Sequence, residues 1–311
     1  MSKAGTIGRC EMRRTLTFGY VSGIPLKLQL NWFLTAALVT WSLSVGYLPQ
    51  SIPDRTAELY WVYGSITAIF FFASVLAHEL GHAVVSVSEG VQVRSITLFI
   101  FGGVAHIARE PSTPRSEFRI VAAGPFASLF LAASFYLAGL LTASFHPDSS
   151  TLSFYLAQVN FILAVFNLIP GFPLDGGRIL RSILWSIKGD FAIATRWARN
   201  IGVLLAAGAI IGGVVMMFFG YILNGIWIAF IGWYLSRTAK ESYQQSMKYM
   251  PWSGRRVKVN PRNLASFIVR SEPQNFRAAV VRVEAVRHSP APALPSGFAS
   301  ETFAKNDENV Q

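Results

Sequence analysis

Six apolar stretches alternate with short polar segments along the chain, and each can form a membrane-spanning helix. A helix rises about 1.5 Å per residue, so roughly 20 apolar residues cross the hydrocarbon core of a bilayer. The last stretch is short and follows the fifth across Gly220, which predicts a tight helical hairpin. The fold class predicted is therefore α, a polytopic membrane protein with about six transmembrane helices, at about 28–48, 60–86, 118–145, 151–169, 197–219 and 221–236.

One segment departs from this helical pattern and predicts a small membrane-associated β-hairpin. Residues 93–108 are rich in β-branched and aromatic side chains, with Gly102 and Gly103 between two apolar runs. The segment is apolar on both faces, so we expect it to dip into the bilayer beside the helices. Its free edge could pair with an unwound peptide, which would make Gly102 and Gly103 substrate-binding residues, or the hairpin could be purely structural. His106 is expected to be a packing or surface residue rather than a metal ligand.

The distribution of charge predicts the orientation of the spans. Only 14% of the 311 residues are charged, while 52% are hydrophobic, as in a membrane protein. Of the 27 Lys and Arg residues, 26 lie ahead of the first span or after the second, fourth and sixth spans. By the positive-inside rule, both termini and the two basic loops face the cytoplasm. The net charge of +11 thus reflects topology and contact with the lipid bilayer, and the sequence has no nucleic-acid-binding motif.

The same pattern divides the chain into three parts. Residues 1–27 are expected to form a cytoplasmic N-terminal arm, residues 28–236 a six-span domain, and residues 237–311 a cytoplasmic tail. The tail has 12 basic and 6 acidic residues and a Pro/Ala/Ser-rich stretch, which predicts partial disorder. The one cysteine, Cys10, excludes an intramolecular disulfide and a cysteine-rich metal site.

Residues that can bind a metal and catalyse a reaction lie near the end of the second apolar stretch. They are His78-Glu79-Leu80-Gly81-His82. On a helix, positions i and i+4 share a face, so both imidazoles can reach one metal ion. Glu79 is adjacent and can take a proton from a metal-activated water. The alternative is that the histidines and the glutamate serve helix packing. Because ionisable groups in membrane helices are costly, the pattern favours a metal site inside the membrane.

A second polar motif ends the fourth apolar stretch, where Pro170 and Pro173 stop the helix. Asp175 follows, and two interpretations compete for it. It could cap the helix that the sequence predicts over 176–188, or it could be the third ligand of a His₂Asp site. The second and fourth spans both end on the cytoplasmic side, which favours the ligand. Within the fourth span, Asn160 is expected to form an interhelical hydrogen bond.

Taken together, the motifs resemble the site-2 protease family of intramembrane zinc metalloproteases. Their order and spacing agree with that family over about residues 20–237. The resemblance is carried by the histidine motif at 78–82, by Phe101-Gly102-Gly103, by Ala123-Gly124-Pro125, and by the segment from Asn167 to Gly177. The layout is similar to a subgroup that often has paired CBS domains after the last helix, but the tail of 75 residues is too short for such a pair.

The resemblance implies roles for particular residues. It implies one Zn²⁺ per chain, with His78, His82 and Asp175 as ligands. Glu79 is then the catalytic base, and Asn167 lies near the scissile bond, where it could stabilise the oxyanion.

The resemblance also implies hydrolysis of peptide bonds in or near transmembrane segments of membrane-protein substrates, which is regulated intramembrane proteolysis. The protein is then a multi-pass integral membrane protein, which in a prokaryote would lie in the cell membrane. The alternatives are a non-proteolytic zinc-binding membrane protein or a metal transporter. A transporter needs an ionisable pathway across both leaflets, which the other spans nearly lack, and a non-catalytic relative would have lost Glu79 or a ligand. The sequence does not indicate an oligomeric state.

Overall fold

The computed structural model describes residues 15–21, 23–99, 102–107 and 110–248. The predicted disorder of the tail lies beyond residue 248, outside the described residues. The strands are β1 (Thr15–Val21), β2 (Ile24–Gln29), β3 (Val93–Phe99) and β4 (Gly102–Ile107). The helices are α1 (Leu30–Ser42), which continues through a π-helical turn (Leu43–Tyr47) into α2 (Leu48–Ser51), then α3 (Ala57–Ser88), α4 (Pro114–Thr142), α5 (Pro147–Asn167), α6 (Asp175–Lys188), α7 (Phe191–Phe218) and α8 (Ile222–Lys248).

Within the described residues, five helical segments are long and apolar enough to cross a membrane, and they correspond to the first five predicted spans. They are Leu30–Ser51, Ala57–Ser88, Pro114–Thr142, Pro147–Asn167 and Phe191–Phe218. The sixth predicted span forms the first part of α8 but is not among these five. Large apolar side chains point outward along the helices, for example Phe126, which is 70% exposed. In water such a surface would aggregate, so it is the lipid-facing surface of an integral membrane protein.

Between the spans, polar side chains pair with one another. The predicted interhelical hydrogen bond of Asn160 is present, since its Nδ2 donates to Ser74 Oγ of α3 at 3.1 Å. At the end of the bundle where α3 and α5 begin, Arg55 binds both carboxylate oxygens of Asp148, at 2.9 and 3.0 Å. Arg55 precedes α3 and Asp148 lies in the first turn of α5, at the ends of these helices that the charge distribution predicts to be non-cytoplasmic.

The strands form one four-stranded sheet with the order β1-β2-β3-β4. The predicted hairpin is the antiparallel pair β3–β4, and it has a second antiparallel hairpin, β1–β2, beside it. Strands β2 and β3 are parallel, with Leu26 opposite Ile96, because the chain crosses the membrane twice between them. Such a crossover is the usual way to bring two parallel strands side by side.

The N-terminal hairpin was absent from the predicted layout, in which residues 1–27 are a simple arm. Ile24 and Leu26 of β2 are buried against Ala83 of α3 and Ile96 of β3. The hydrophobic effect thus fixes the sheet on the half of α3 that contains the histidine motif. The sheet cannot be placed from periodicity alone, because the partner of β2 is about 70 residues away in the chain.

Candidate metal centre

The two histidines of the motif lie one turn apart on α3 and turn their rings toward the same point. His78 Nε2 and His82 Nε2 are 3.3 Å apart. Asp175 Oδ2 lies 3.1 Å from the first and 3.2 Å from the second. In a tetrahedral site with metal–ligand bonds of 2.0–2.1 Å, neighbouring ligand atoms are roughly 3.3 Å apart. Three ligand atoms therefore stand at the separations that one zinc ion requires.

The outer ring nitrogens are bound to helix α4. His82 Nδ1 lies 2.9 Å from the carbonyl oxygen of Ile120, and His78 Nδ1 lies 2.9 Å from Ser128 Oγ. A carbonyl oxygen can only accept, so His82 Nδ1 carries the proton and Nε2 keeps its lone pair for a metal. A hydrogen bond on the outer nitrogen is the usual support of a metal-binding histidine.

Asp175 is the first residue of α6, and its carboxylate faces the histidines. The residue at the N-cap position is Leu174, which makes no side-chain cap. Burial alone would raise the pKa of Asp175, but His82 and His78 outweigh it and lower that pKa below its ordinary value. The carboxylate is thus held in the ionised form that binds a metal.

Gly124 of α4 leaves the space that a metal ion needs. A Cβ built on Gly124 would lie 2.8 Å from His78 Nε2 and still closer to His82 Nε2. Any side chain here would occupy the point on which the nitrogens converge. Together with two imidazoles and a carboxylate, this space fits a zinc ion. Among the described residues, His78, His82 and Asp175 are the three that come together as a possible metal site.

Glu79 lies beside this centre and contacts strand β4. Its Oε2 accepts a hydrogen bond of 3.1 Å from the backbone N–H of Ala105. A Cβ on Gly103 would overlap the Glu79 side chain, 3.0 Å from its Cδ. The second glycine of the predicted turn is therefore the residue that lets the strand approach Glu79.

A cavity of about 500 Å³ surrounds these groups. It lies among α1, α3, the sheet, the end of α5 and the start of α6. Asn167 lines it, and its Nδ2 donates to the carbonyl oxygen of Leu163 at 3.0 Å. The other candidate site residues named from the sequence that line it are His78, Glu79, His82, Gly102, Gly103 and Asp175.

The structure thus brings together the residues that the sequence singled out, with one exception. His106 lies on β4 opposite Ser95, apart from the three side chains that come together as a possible metal site. Phe101 lies outside the described residues. Ser128 and the carbonyl of Ile120 were missed. Only the small residues around Gly124 signalled that α4 approaches another helix closely, and they did not indicate which atoms would face the histidines.

Comparison with known proteins bears directly on this centre. Residues 66–148 and 142–209 match the model of Peptidase family M50. The chain is 38% identical over 248 residues to Rip3 of Mycobacterium tuberculosis, whose name describes it as a zinc metalloprotease; the match covers 79% of this chain and 63% of Rip3. It is 33% identical over 213 residues to zinc metalloprotease MJ0392 of Methanocaldococcus jannaschii, covering 68% of this chain and 57% of that protein. The chain therefore matches less than two thirds of the length of either relative.

Among solved structures, a site-2 protease from Methanocaldococcus jannaschii is 28% identical and covers 74% of this chain and 95% of that one, with a TM-score of 0.49. Both relatives are named as zinc metalloproteases, and His78, His82 and Asp175 could hold a metal ion in this chain. The family model and the relatives confirm the resemblance seen in the sequence to the site-2 protease family of zinc metalloproteases, with peptidase family M50 matched over residues 66–209.

Proposed function

We propose that this protein is an intramembrane zinc endopeptidase that hydrolyses peptide bonds in or near transmembrane segments of membrane-protein substrates. The observation that carries the proposal is the convergence of two histidines and an aspartate, beside a glutamate, in a cavity bounded by membrane helices. A structural pair of histidines would need neither the third ligand nor the free space at Gly124.

His78, His82 and Asp175 would hold the metal. When bound, zinc supplies a Lewis acid that polarises a peptide carbonyl and lowers the pKa of a water molecule. Ser128 and Ile120 keep the two imidazoles turned toward the metal.

Glu79 is the general base. The Ala105 N–H fixes Oε2, which leaves Oε1 to accept the proton of the attacking water. Glu79 then gives that proton to the leaving amine, which completes the exchange of the peptide bond for an amine and a carboxylate. Because the base is held by β4, its position depends on the sheet as well as on α3.

Strand β4 is the proposed binding edge for the substrate. A transmembrane helix hides its carbonyl groups in its own hydrogen bonds and must unwind before it can be cut. Strand β4 is at the end of the sheet, and Gly102 and Gly103 line the cavity, so the released segment could add to this edge as a further strand. Asn167 lines the same cavity and would stabilise the oxyanion.

Both termini are proposed to be cytoplasmic. The pairing of Arg55 with Asp148 supports this layout, because it joins the starts of α3 and α5, where the chain has no basic residue other than Arg55. Accessibility labelling from each side of sealed vesicles tests it. A cysteine at position 148 that is labelled from the cytoplasmic side would overturn it.

The proposed activity is tested by measuring zinc content and cleavage of a model transmembrane peptide on the same sample. Glu79→Gln keeps the size of the side chain but cannot accept a proton, and general base catalysis contributes about 10²–10⁴-fold. We expect Glu79→Gln to retain zinc and to lose cleavage by that order. A zinc-loaded Glu79→Gln protein that cuts at the native rate would rule out the mechanism. If the native protein binds zinc but cleaves no membrane peptide, the activity is not proteolysis.

A further inference from the structure

A group of three charged side chains and one serine lies behind the metal centre. We call this group, formed by Glu110, Glu117, Arg181 and Ser246, the α6 clamp. Arg181 and Glu117 are both fully buried. Arg181 Nε donates to Glu117 Oε1 at 2.7 Å, and Arg181 Nη2 also contacts that oxygen. Nη2 also donates to Glu110 Oε2 at 2.9 Å, and Nη1 donates to Ser246 Oγ at 2.8 Å. Ser246 in turn donates to Glu110 at 3.1 Å.

The clamp attaches α6 to three other parts of the chain. Glu117 is on α4, Ser246 is near the end of α8, and Glu110 is in the segment that leads into α4. Arg181 also lies against the ring of Phe172, which belongs to the turn before α6, at 5.2 Å from the ring centroid. Burying such a group has a large desolvation cost and is weak evidence for stability alone. The hydrogen bonds of the clamp instead fix the position of α6 relative to α4 and α8.

The face of α4 that holds the clamp also orients the histidines. Glu117, Ile120, Gly124 and Ser128 follow one another at spacings of three, four and four residues, so they share one face of the helix. The carbonyl of Ile120 and the hydroxyl of Ser128 bind the outer nitrogens of the two histidines. One helix face therefore sets the direction of both imidazoles and contacts the helix that supplies the third ligand.

Among the residues that the structure describes, the start of α6 has no second group of hydrogen-bonded charges like the clamp. Asp175 stands at the start of α6, after a turn that contains two prolines, and Leu174 gives it no side-chain cap. Arg181 lies six residues further on, about 9 Å along the helix axis. Between them, Arg178 is only loosely placed against the acids, 3.7 Å from Glu110 and 3.8 Å from Glu117. The short contacts of Arg181 are those that can fix the distance of Asp175 from α3.

We propose that Arg181 and Glu117 are positioning residues for the metal centre: their buried pair holds α6 against α4, so that Asp175 meets the two histidines at ligand distance. The inference rests on the proposed ligand set. Removing the pair should displace Asp175, while His78 and His82, which α4 orients separately, stay in place.

The test measures metal affinity of the full-length protein in detergent, with no use of activity. The variant is Arg181→Gln with Glu117→Gln, since removing both charges avoids leaving one buried and unpaired. Arg181→Lys, which keeps the charge but not the forked donor, is a second variant in case the first does not fold. Arg55→Gln is the matched control, because it breaks a two-pronged Arg–Asp pair far from the metal. Each is measured with Zn²⁺ and also with Cu²⁺, which nitrogen ligands bind more tightly, in the native and Asp175→Ala backgrounds.

We expect the clamp variant to weaken Zn²⁺ binding by about 10–100-fold, the usual cost of losing support for a ligand. Arg181→Lys should fall between it and the native protein, and Arg55→Gln should change nothing. In the Asp175→Ala background the clamp variant should lose less than about threefold, because the residue through which it acts is absent. An unchanged affinity in the native background, or an equal loss in both backgrounds, would overturn the proposal. If Asp175→Ala itself binds Zn²⁺ as the native protein does, the ligand set fails instead.

Discussion

The Nδ1 atom of His78 lies 2.9 Å from the hydroxyl oxygen of Ser128, one helix away. This contact leaves Nε2 free for the metal and fixes the plane of the ring. His82 obtains the same support from a backbone carbonyl, which no substitution can remove. Ser128 is therefore the side chain through which the support of the histidines can be tested.

Ser128→Ala should weaken zinc binding by about 10–100-fold without unfolding the protein, because the ring of His78 loses its hydrogen bond but not its packing. Titration of the apoprotein with Zn²⁺ against a competing chelator measures this. Ser134→Ala is the control, since Ser134 lies on the same helix and binds only its own backbone, at Phe130. Equal affinities for the Ser128→Ala and native proteins would show that the hydroxyl does not orient the ring.

Gly124→Ala should abolish zinc binding, because the new methyl group would stand among the atoms that bind the ion. The helical content should be kept, since alanine favours a helix more than glycine does. Metal analysis after purification, alongside circular dichroism, checks both statements. Gly208→Ala in α7 is the matched control, because a Cβ there meets open space. A zinc-loaded Gly124→Ala protein would mean that the ion sits elsewhere.

Gly103→Ala should slow cleavage while zinc stays bound. The added Cβ would press on the side chain of Glu79 and displace the base, but it lies away from the ligand atoms. Misplacing a general base loses part of its contribution of about 10²–10⁴-fold, so we expect kcat to fall at least tenfold. Gly19→Ala on β1, where a Cβ has no neighbour within 4 Å, should cut as the native protein does. Loss of zinc in Gly103→Ala would contradict the proposal that β4 positions the base and has no part in binding the metal.

Glu110 should make the stability of the fold depend on pH. Burial alone would raise its pKa, but Arg181 and Arg178 outweigh burial and lower the pKa below its ordinary value. A lowered pKa in the folded state means that ionised Glu110 stabilises the fold above its unfolded pKa of about 4.3 and that this contribution is lost as pH falls through the folded pKa. The gap in apparent unfolding temperature between native and Glu110→Gln proteins should therefore be full at pH 7 and shrink below about pH 4.

The control for this measurement is Glu241→Gln, on an exposed surface of α8 where the carboxylate faces Arg237 at 3.8 Å. Exposed pairs contribute little, so this variant should unfold as the native protein does at each pH. A gap for Glu110→Gln that widens as the solution becomes more acidic would have the wrong sign for a stabilising carboxylate.

Local and regular features of the molecule could be predicted from the residues, and contacts between distant segments could not. The spacing of His78 and His82 defines their common face wherever the helix lies. Asp175 could be added because the topology brings the ends of two spans to the same side. Arg181 and Glu117, which are 64 residues apart, have no pattern that pairs them. Glu117 is a charged residue in the first turn of an otherwise apolar helix, which is a signal for a buried partner but does not identify Arg181 as that partner.

The parallel pairing of β2 with β3 has a consequence for how this protein can be handled. Leu26 and Ile24 cover Ala83, the residue that follows His82, so the polypeptide ahead of the first membrane helix packs against the helix that contains the histidine motif. A shortened protein that starts at Leu30 would bare one side of β3, and β4 on the other side is the strand that holds Glu79. An affinity tag or a fused reporter therefore belongs ahead of Thr15. We expect a protein trimmed to the membrane helices to purify with its metal but to have Glu79 displaced from its catalytic position.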